Sequence, residues 1–355
     1  MSYCTFICYV QCHTPYEETF LWVITTFEEN DAGFRLVTDK KGEQDYRLFT
    51  QKMTSRVKEA KDQQEFISLV NEWLGYFRKA HHGFAAIRDQ ETTTKEKPQA
   101  TSSPPKDTPD RRMPSLSRLS EHTLLLRIPS YHIRYKKYLD QLLKENDQLL
   151  RSTPNLMIDV RDNGGGATHS WSGLIPYFYT NPVRQMNMEI YCTEQNARGY
   201  EQEAEILFRE GNKEPAQKRL AWAKKMREHT GEFIPADHRK VIVVDKFSPL
   251  PYPERVGILC NENCASATEQ FLYIARQSTK VKIFGKPTFG ALDVTNTTAV
   301  DSPDGKYRLV YCMARSLRAV EMSMDGTGIQ PDYLLDSTIP EEQWTEYVQE
   351  ILENR

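Results

Sequence analysis

Apolar residues recur at helical spacing through the first quarter of the chain, then gather into short runs through the rest. In "YEETFLWVITTFEEN", Phe20, Leu21, Ile24 and Phe27 fall on one face. In "DQQEFISLVNEWLGYFRKAHH", Phe66, Leu69, Val70, Trp73, Leu74 and Phe77 do the same. That is the three-to-four-residue period of amphipathic helices, so residues 1–90 read as a helical N-terminal lobe. Residues 91–118 hold Thr, Ser, Pro and charge with little to bury, and read as an exposed linker. From residue 119 the pattern changes. "TLLLRIPSY" (123–131) and "NLMIDVR" (155–161) are apolar runs of strand type, with an amphipathic helix over 138–151 between them. "KVIVVD" (240–245), "RVGILC" (255–260), "KVKIFG" (280–285) and "YRLVYCMA" (307–314) read as further strands, and residues 266–278 as a helix between two of them. Residues 194–229 read as two charged helices split near Gly211 and Asn212, within an insertion over about 167–239. Strands alternating with helices predict an α/β core over residues 119–355.

Composition narrows the function. The 355 residues are 39% hydrophobic and carry a formal net charge of −3, enough apolar material for a sizeable core and no basic aromatic stripe for nucleic acid. No apolar run is long enough to predict a membrane span. The first residues, "MSYCTFICYVQCHTPYEE", are mildly apolar but have no Lys or Arg ahead of them, so they read as ordinary chain and a poor signal peptide. Seven cysteines, an odd number without a CxxC pair, predict small buried residues and neither a disulfide framework nor a zinc site. No metal and no organic cofactor is expected.

Four segments could carry chemistry. In "DVRDNGGG" three glycines follow a buried strand, which lets backbone N–H groups point at an oxyanion; no Lys-Ser/Thr follows, so a phosphate loop is a poor reading. Ser266 stands where a strand runs into a helix, with Glu269 three residues on. That is a capping-box spacing, and equally a place where the positive helix end favours an alkoxide. His81 and His82 close an apolar helix in "KAHHGF" and could serve a serine as base. Asp325 in "MDGTGIQPDYLL" could orient a histidine, or be simple turn chemistry.

Taken in order, these segments resemble the C-terminal-processing and tricorn-type serine peptidases. "LLLRIPSY" is similar to the strand before that family's core helix, and "LMIDVRDNGGG" to its D-x-R-x-N-G-G-G block. "VGILCNENCASATEQFLYIARQSTKVKIFGKPTFG" resembles its nucleophile block and "GTGIQPDYLL" its closing strand, over residues 123–335. The resemblance implies a helical lobe on a mixed α/β core of the ClpP/crotonase type. It implies Ser266 as nucleophile, with oxyanion donors from Gly165 (or Gly164) and Ala267, and Glu269 in support. Processing members place a lysine directly after "T-F-G", where this chain has Ala291; Lys286, five residues earlier, is not its equivalent. The tricorn-like branch uses a histidine from the preceding lobe and an acid before the closing block. These match His81, with His82 in reserve, and Asp325. Peptide or protein substrates and an extracytoplasmic location follow from the same resemblance. The short stretch between His81 and "TLLLRIPSY" leaves little room for a PDZ-like domain. Two other readings compete: a peptidase fold that binds a ligand without cutting, and a hydrolase of non-peptide acyl substrates.

Overall fold

The computed structural model describes residues 14–87 and 110–354. Cys4, Cys8 and Cys12, the apolar start and most of the Pro/Ser/Thr-rich stretch lie outside these residues, as does the middle of the span considered for a PDZ-like domain, residues 88–109. The described chain forms two compact units. One comprises the residues before 88 with Tyr191–Ile234 and Asn296–Ala314; the other comprises the residues from 110 to Ile190 with Pro235–Thr295 and Arg315 onward.

The first unit is built on the helices Pro15–Asn30, Phe34–Lys41, Glu43–Lys58 and Gln63–Gly75. Thr14 opens the first with a reciprocal box: its hydroxyl accepts from Glu17 N–H, and Glu17 Oε2 accepts from Thr14 N–H. Phe66, Leu69, Val70, Trp73, Leu74 and Phe77 are all buried, as the periodicity predicts. On the first helix the buried stripe is Phe20, Val23 and Phe27, whereas Leu21 is 57% exposed. The face therefore follows i, i+3, i+7 and passes beside the expected Leu21 and Ile24. The stripe is fixed by Trp73, whose ring meets Phe20 and Phe27 edge-on at 5.8 and 5.6 Å. The helices Glu194–Arg209 and Lys213–Glu228 break at Gly211 and Asn212. Gly83–Ala86 is a strand, antiparallel to Tyr307–Val310, inside the stretch that reads as wholly helical.

The second unit holds a six-stranded sheet in the order Tyr333–Leu334, Val281–Gly285, Arg255–Cys260, Asn155–Asp159, Thr123–Arg127, Ser115–Arg118. Every pairing is parallel except the last, where the edge strand Ser115–Arg118 runs antiparallel. Helices cover both faces. Ile133–Glu145 and Ala267–Ala275 place Leu139, Leu143, Phe271 and Leu272 on one face, and Trp344–Glu353 places Trp344, Val348 and Leu352 on the other. A strand buried on both faces has no polar side, which is why all five residues of Asn155–Asp159 are buried. Because the central strands are parallel, Asp159, Cys260 and Gly285 end together at one edge of the sheet. The ligand crevice of an open parallel sheet lies outside such carboxyl ends.

Candidate active site

Three turns leave that edge, and side-chain amides lace the first two together. Asn261 Oδ1 accepts from Asp162 N–H at 3.0 Å and its Nδ2 donates to Asp162 Oδ1 at 2.9 Å. Asn263 Nδ2 donates to the same oxygen at 2.8 Å, and these bonds hold the Asp162 carboxyl below its usual range. Asn163, fully buried, donates from Nδ2 to Ile128 O, and its carbonyl accepts from Ala265 N–H. Asn163 and Asn261, which sequence reasoning did not single out, brace these turns. Their only signal is the local preference of Asn for turns. Asp159 and Arg161 of the "DVR" run form a fork-to-carboxylate pair at 3.0 and 2.7 Å, so that motif braces the turn.

Ser266 is the N-cap residue of Ala267–Ala275, with φ +56° and ψ −118°. A serine in this region is strained, and such strain persists where the surroundings over-determine the backbone. Its Oγ faces the Glu269 N–H in the capping-box arrangement but makes no cap hydrogen bond. The return half is firm: Ser266 N–H donates to Glu269 Oε2 at 3.0 Å. The adjoining Ala267 N–H has no acceptor among the described residues and sits at the positive end of the helix.

Gly165 packs directly under the serine. Its φ is +102°, and a Cβ there would come within 2.7 Å of Ala265 O and 2.9 Å of Ser266 Cβ. Its N–H, however, donates to Asn163 Oδ1 at 3.0 Å. The oxyanion donor expected from Gly165 is thus already engaged, because the asparagine before it closes a tight turn. Gly164 is exposed, and a Cβ there would meet nothing within 4 Å. Gly165→Ala is expected to lower stability by roughly 2–4 kcal/mol and to slow any reaction at Ser266, whereas Gly164→Ala stays near the parent stability. Chemical unfolding of the two variants checks this.

Glu269, 0% exposed, is a hub. Besides Ser266 N–H it accepts from Thr288 Oγ1 at 2.5 Å, Gly290 N–H at 2.7 Å and Ala291 N–H at 2.8 Å. Asp325 Oδ1 accepts from Leu292 N–H at 2.6 Å and Asp293 N–H at 2.7 Å. Lys286 turns to Glu262 at 3.2 Å and lies over the Trp344 ring.

The histidines belong to the first unit. His81 has φ +62°, and its carbonyl accepts from Arg78 Nη2 and from Cys312 Sγ. Arg78 in turn forms a buried fork with Asp31 at 2.8 and 2.5 Å. His82 Nε2 lies 2.6 Å from Arg78 O, and burial pushes its pKa down. Cys192, Cys260, Cys264 and Cys312 are buried. Burial pushes Cys264 up to about 12 and Cys192 up to about 11, which makes them poor nucleophiles. Among the described residues no group of three His, Cys, Asp or Glu is arranged to hold a metal ion, and no helix is long and apolar enough to cross a membrane.

The family model for peptidase family S41 matches residues 122–335, from the strand before the core helix to the closing strand. The chain belongs to peptidase family S41. Its fold is similar to that of a lipoprotein from Streptococcus agalactiae, with 18% identity and TM-score 0.52 over 97% of this chain and 98% of that one. It is also similar to a candidate peptidase from Parabacteroides merdae, with 16% identity and TM-score 0.55 over 96% and 97%. The photosystem II D1 C-terminal processing protease aligns at 12% identity and TM-score 0.46 over 92% and 94%. No curated protein matches the chain. Within family S41 the mixed α/β architecture is the expected one, and the glycine turn, the serine turn and the closing strand all lie inside the matched span.

Proposed function

We propose that this S41 member is a serine peptidase that hydrolyses peptide bonds through an acyl-enzyme, with Ser266 as nucleophile. The observation that carries the reading is the left-handed Ser266 at the head of its helix, its hydroxyl outside any cap hydrogen bond and the Ala267 N–H unshared beside it. His81 takes the Oγ proton as the hydroxyl attacks the scissile carbonyl. The Ala267 and Gly164 N–H groups receive the oxyanion, Asp325 orients the imidazolium, and water releases the acyl group. What supports His81 over His82 is the sequence match together with its strained backbone, gripped by the Arg78–Asp31 fork. His82, buried and bonded to the Arg78 carbonyl, serves that turn. Peptide or protein substrates and an extracytoplasmic location are proposed on the family resemblance.

A second reading, a peptidase fold that binds without cutting, is motivated by Ala291 at the position where processing members carry lysine. One experiment separates the two. A fluorophosphonate probe is read by intact mass on the parent protein, His81→Ala and His82→Ala. The expected result is a single adduct on the parent, formed on the order of 10²–10⁴ slower in His81→Ala and at near-parent rate in His82→Ala. The reverse order makes His82 the base. No adduct on the parent, with a control hydrolase labelled, overturns the catalytic reading.

A further inference from the structure

The segment after "T-F-G" contains an arrangement with no local sequence signal. Four consecutive backbone N–H groups are divided two and two between carboxylates: Gly290 and Ala291 donate to Glu269, Leu292 and Asp293 to Asp325. One short peptide thus ties the serine turn at one end to the Asp325 turn at the other. The tie is reciprocal. Asp293 Oδ2 accepts from Asp325 N–H at 2.8 Å, from Met324 N–H and from Ser323 Oγ at 2.9 Å. Asp293 Oδ1 accepts from Arg318 Nε at 3.0 Å and lies 2.9 Å from Arg318 Nη2. The guanidinium lies over the Tyr273 ring at 5.1 Å, on the helix that Ser266 opens.

Asp293 and Arg318 are 1% and 4% exposed. A buried pair of this kind is weak evidence for stability, since its desolvation opposes its attraction, but its donors and acceptors fix geometry. We infer that Asp293 and Arg318 are positioning residues, which hold the Asp325 carboxylate in register with the Ser266 turn. Neither touches the reacting atoms. The carboxylate of Asp293 keeps the 323–325 turn from rotating, and Arg318 keeps Asp293 from relaxing while anchoring it to the nucleophile helix. The inference rests on the proposal that Ser266 and Asp325 act together.

The test separates binding from chemistry. Fluorophosphonate labelling is measured at several probe concentrations, which yields an inactivation constant and a binding constant for each variant. In Asp293→Asn and Arg318→Met the inactivation constant is expected to fall about 10–100-fold, with the binding constant unchanged within about twofold. Arg318→Lys, which keeps the charge, is expected to recover most of the rate. Each variant is checked for a cooperative thermal transition. If Asp293→Asn does not fold, Arg318→Met and Ser323→Ala decide, the latter with a few-fold drop in rate alone. Folded Asp293→Asn, Arg318→Met or Ser323→Ala that labels at the parent rate, or that loses labelled fraction only in proportion to folded fraction, overturns the positioning role and leaves Ser266 standing. A parent protein that does not label overturns both.

Discussion

Ser266→Ala is expected to abolish hydrolysis, with turnover falling by on the order of 10⁴–10⁶ while the fold persists. The loss is large because, in the proposed mechanism, Ser266 supplies the atom that forms the covalent bond, and the neighbouring thiols and lysine offer no substitute. Cys260 and Cys264 are buried with raised pKa values, and Lys286 is paired with Glu262. Stability should change little. Alanine carries the same Cβ into the same left-handed backbone, and the Ser266 hydroxyl makes no cap hydrogen bond to lose. The check is release of labelled fragments from a mixed peptide library, alongside thermal unfolding of both proteins. Residual turnover within tenfold of the parent would place the nucleophile elsewhere.

Glu269→Ala should produce the largest loss of stability of any single change at the site. It leaves the Ser266, Gly290 and Ala291 N–H groups and the Thr288 hydroxyl without their acceptor, in a place that is 0% exposed at Glu269 itself. Stranded donors carry their full desolvation cost, so a drop of about 3–5 kcal/mol is expected, seen in urea unfolding. Glu269→Gln keeps one acceptor oxygen but turns an NH₂ toward two of the donors, and should lose roughly half as much. A loss under about 1 kcal/mol for the alanine variant would mean that the 288–291 turn satisfies its own amides.

The parts of this molecule that could be read from its sequence are those whose cause is local. "RVGILC" is a strand over Arg255–Cys260 because a run buried on both faces has to be apolar throughout. The helix expected over 138–151 begins earlier, at Ile133, because His132 caps it by accepting from Arg134 N–H, and it breaks at Asn146. Ile133 is itself exposed, so periodicity had nothing to register there. Val294–Asp301 was illegible for a related reason: only Val294 is buried, and "VTNTTAVD" shows no apolar face. Glu269 was visible as a capping-box partner, but its bonds to residues 288–291 were not. Asp293 and Arg318 meet across a separation of 25 residues. Nothing in the sequence near either one marks the other.

The division of four amides between Glu269 and Asp325 bears on which changes family members could share. The spacing between the serine turn and the acid turn is written in main chain, so it depends on how many residues lie between Thr288 and Asp293, and on Gly290, where a Cβ would come within 2.7 Å of Gly326 N. Ala291 and Leu292 contribute their N–H groups to the tie, while their side chains are buried and have only to fill the space they pack into. Volume-conserving exchange at Leu292 is therefore compatible with a preserved site, while a one-residue insertion or deletion is not, since it would throw every amide out of step with its carboxylate. A comparison scored by identity would pass over the segment as unremarked. One scored by gap position would find a stretch of fixed length.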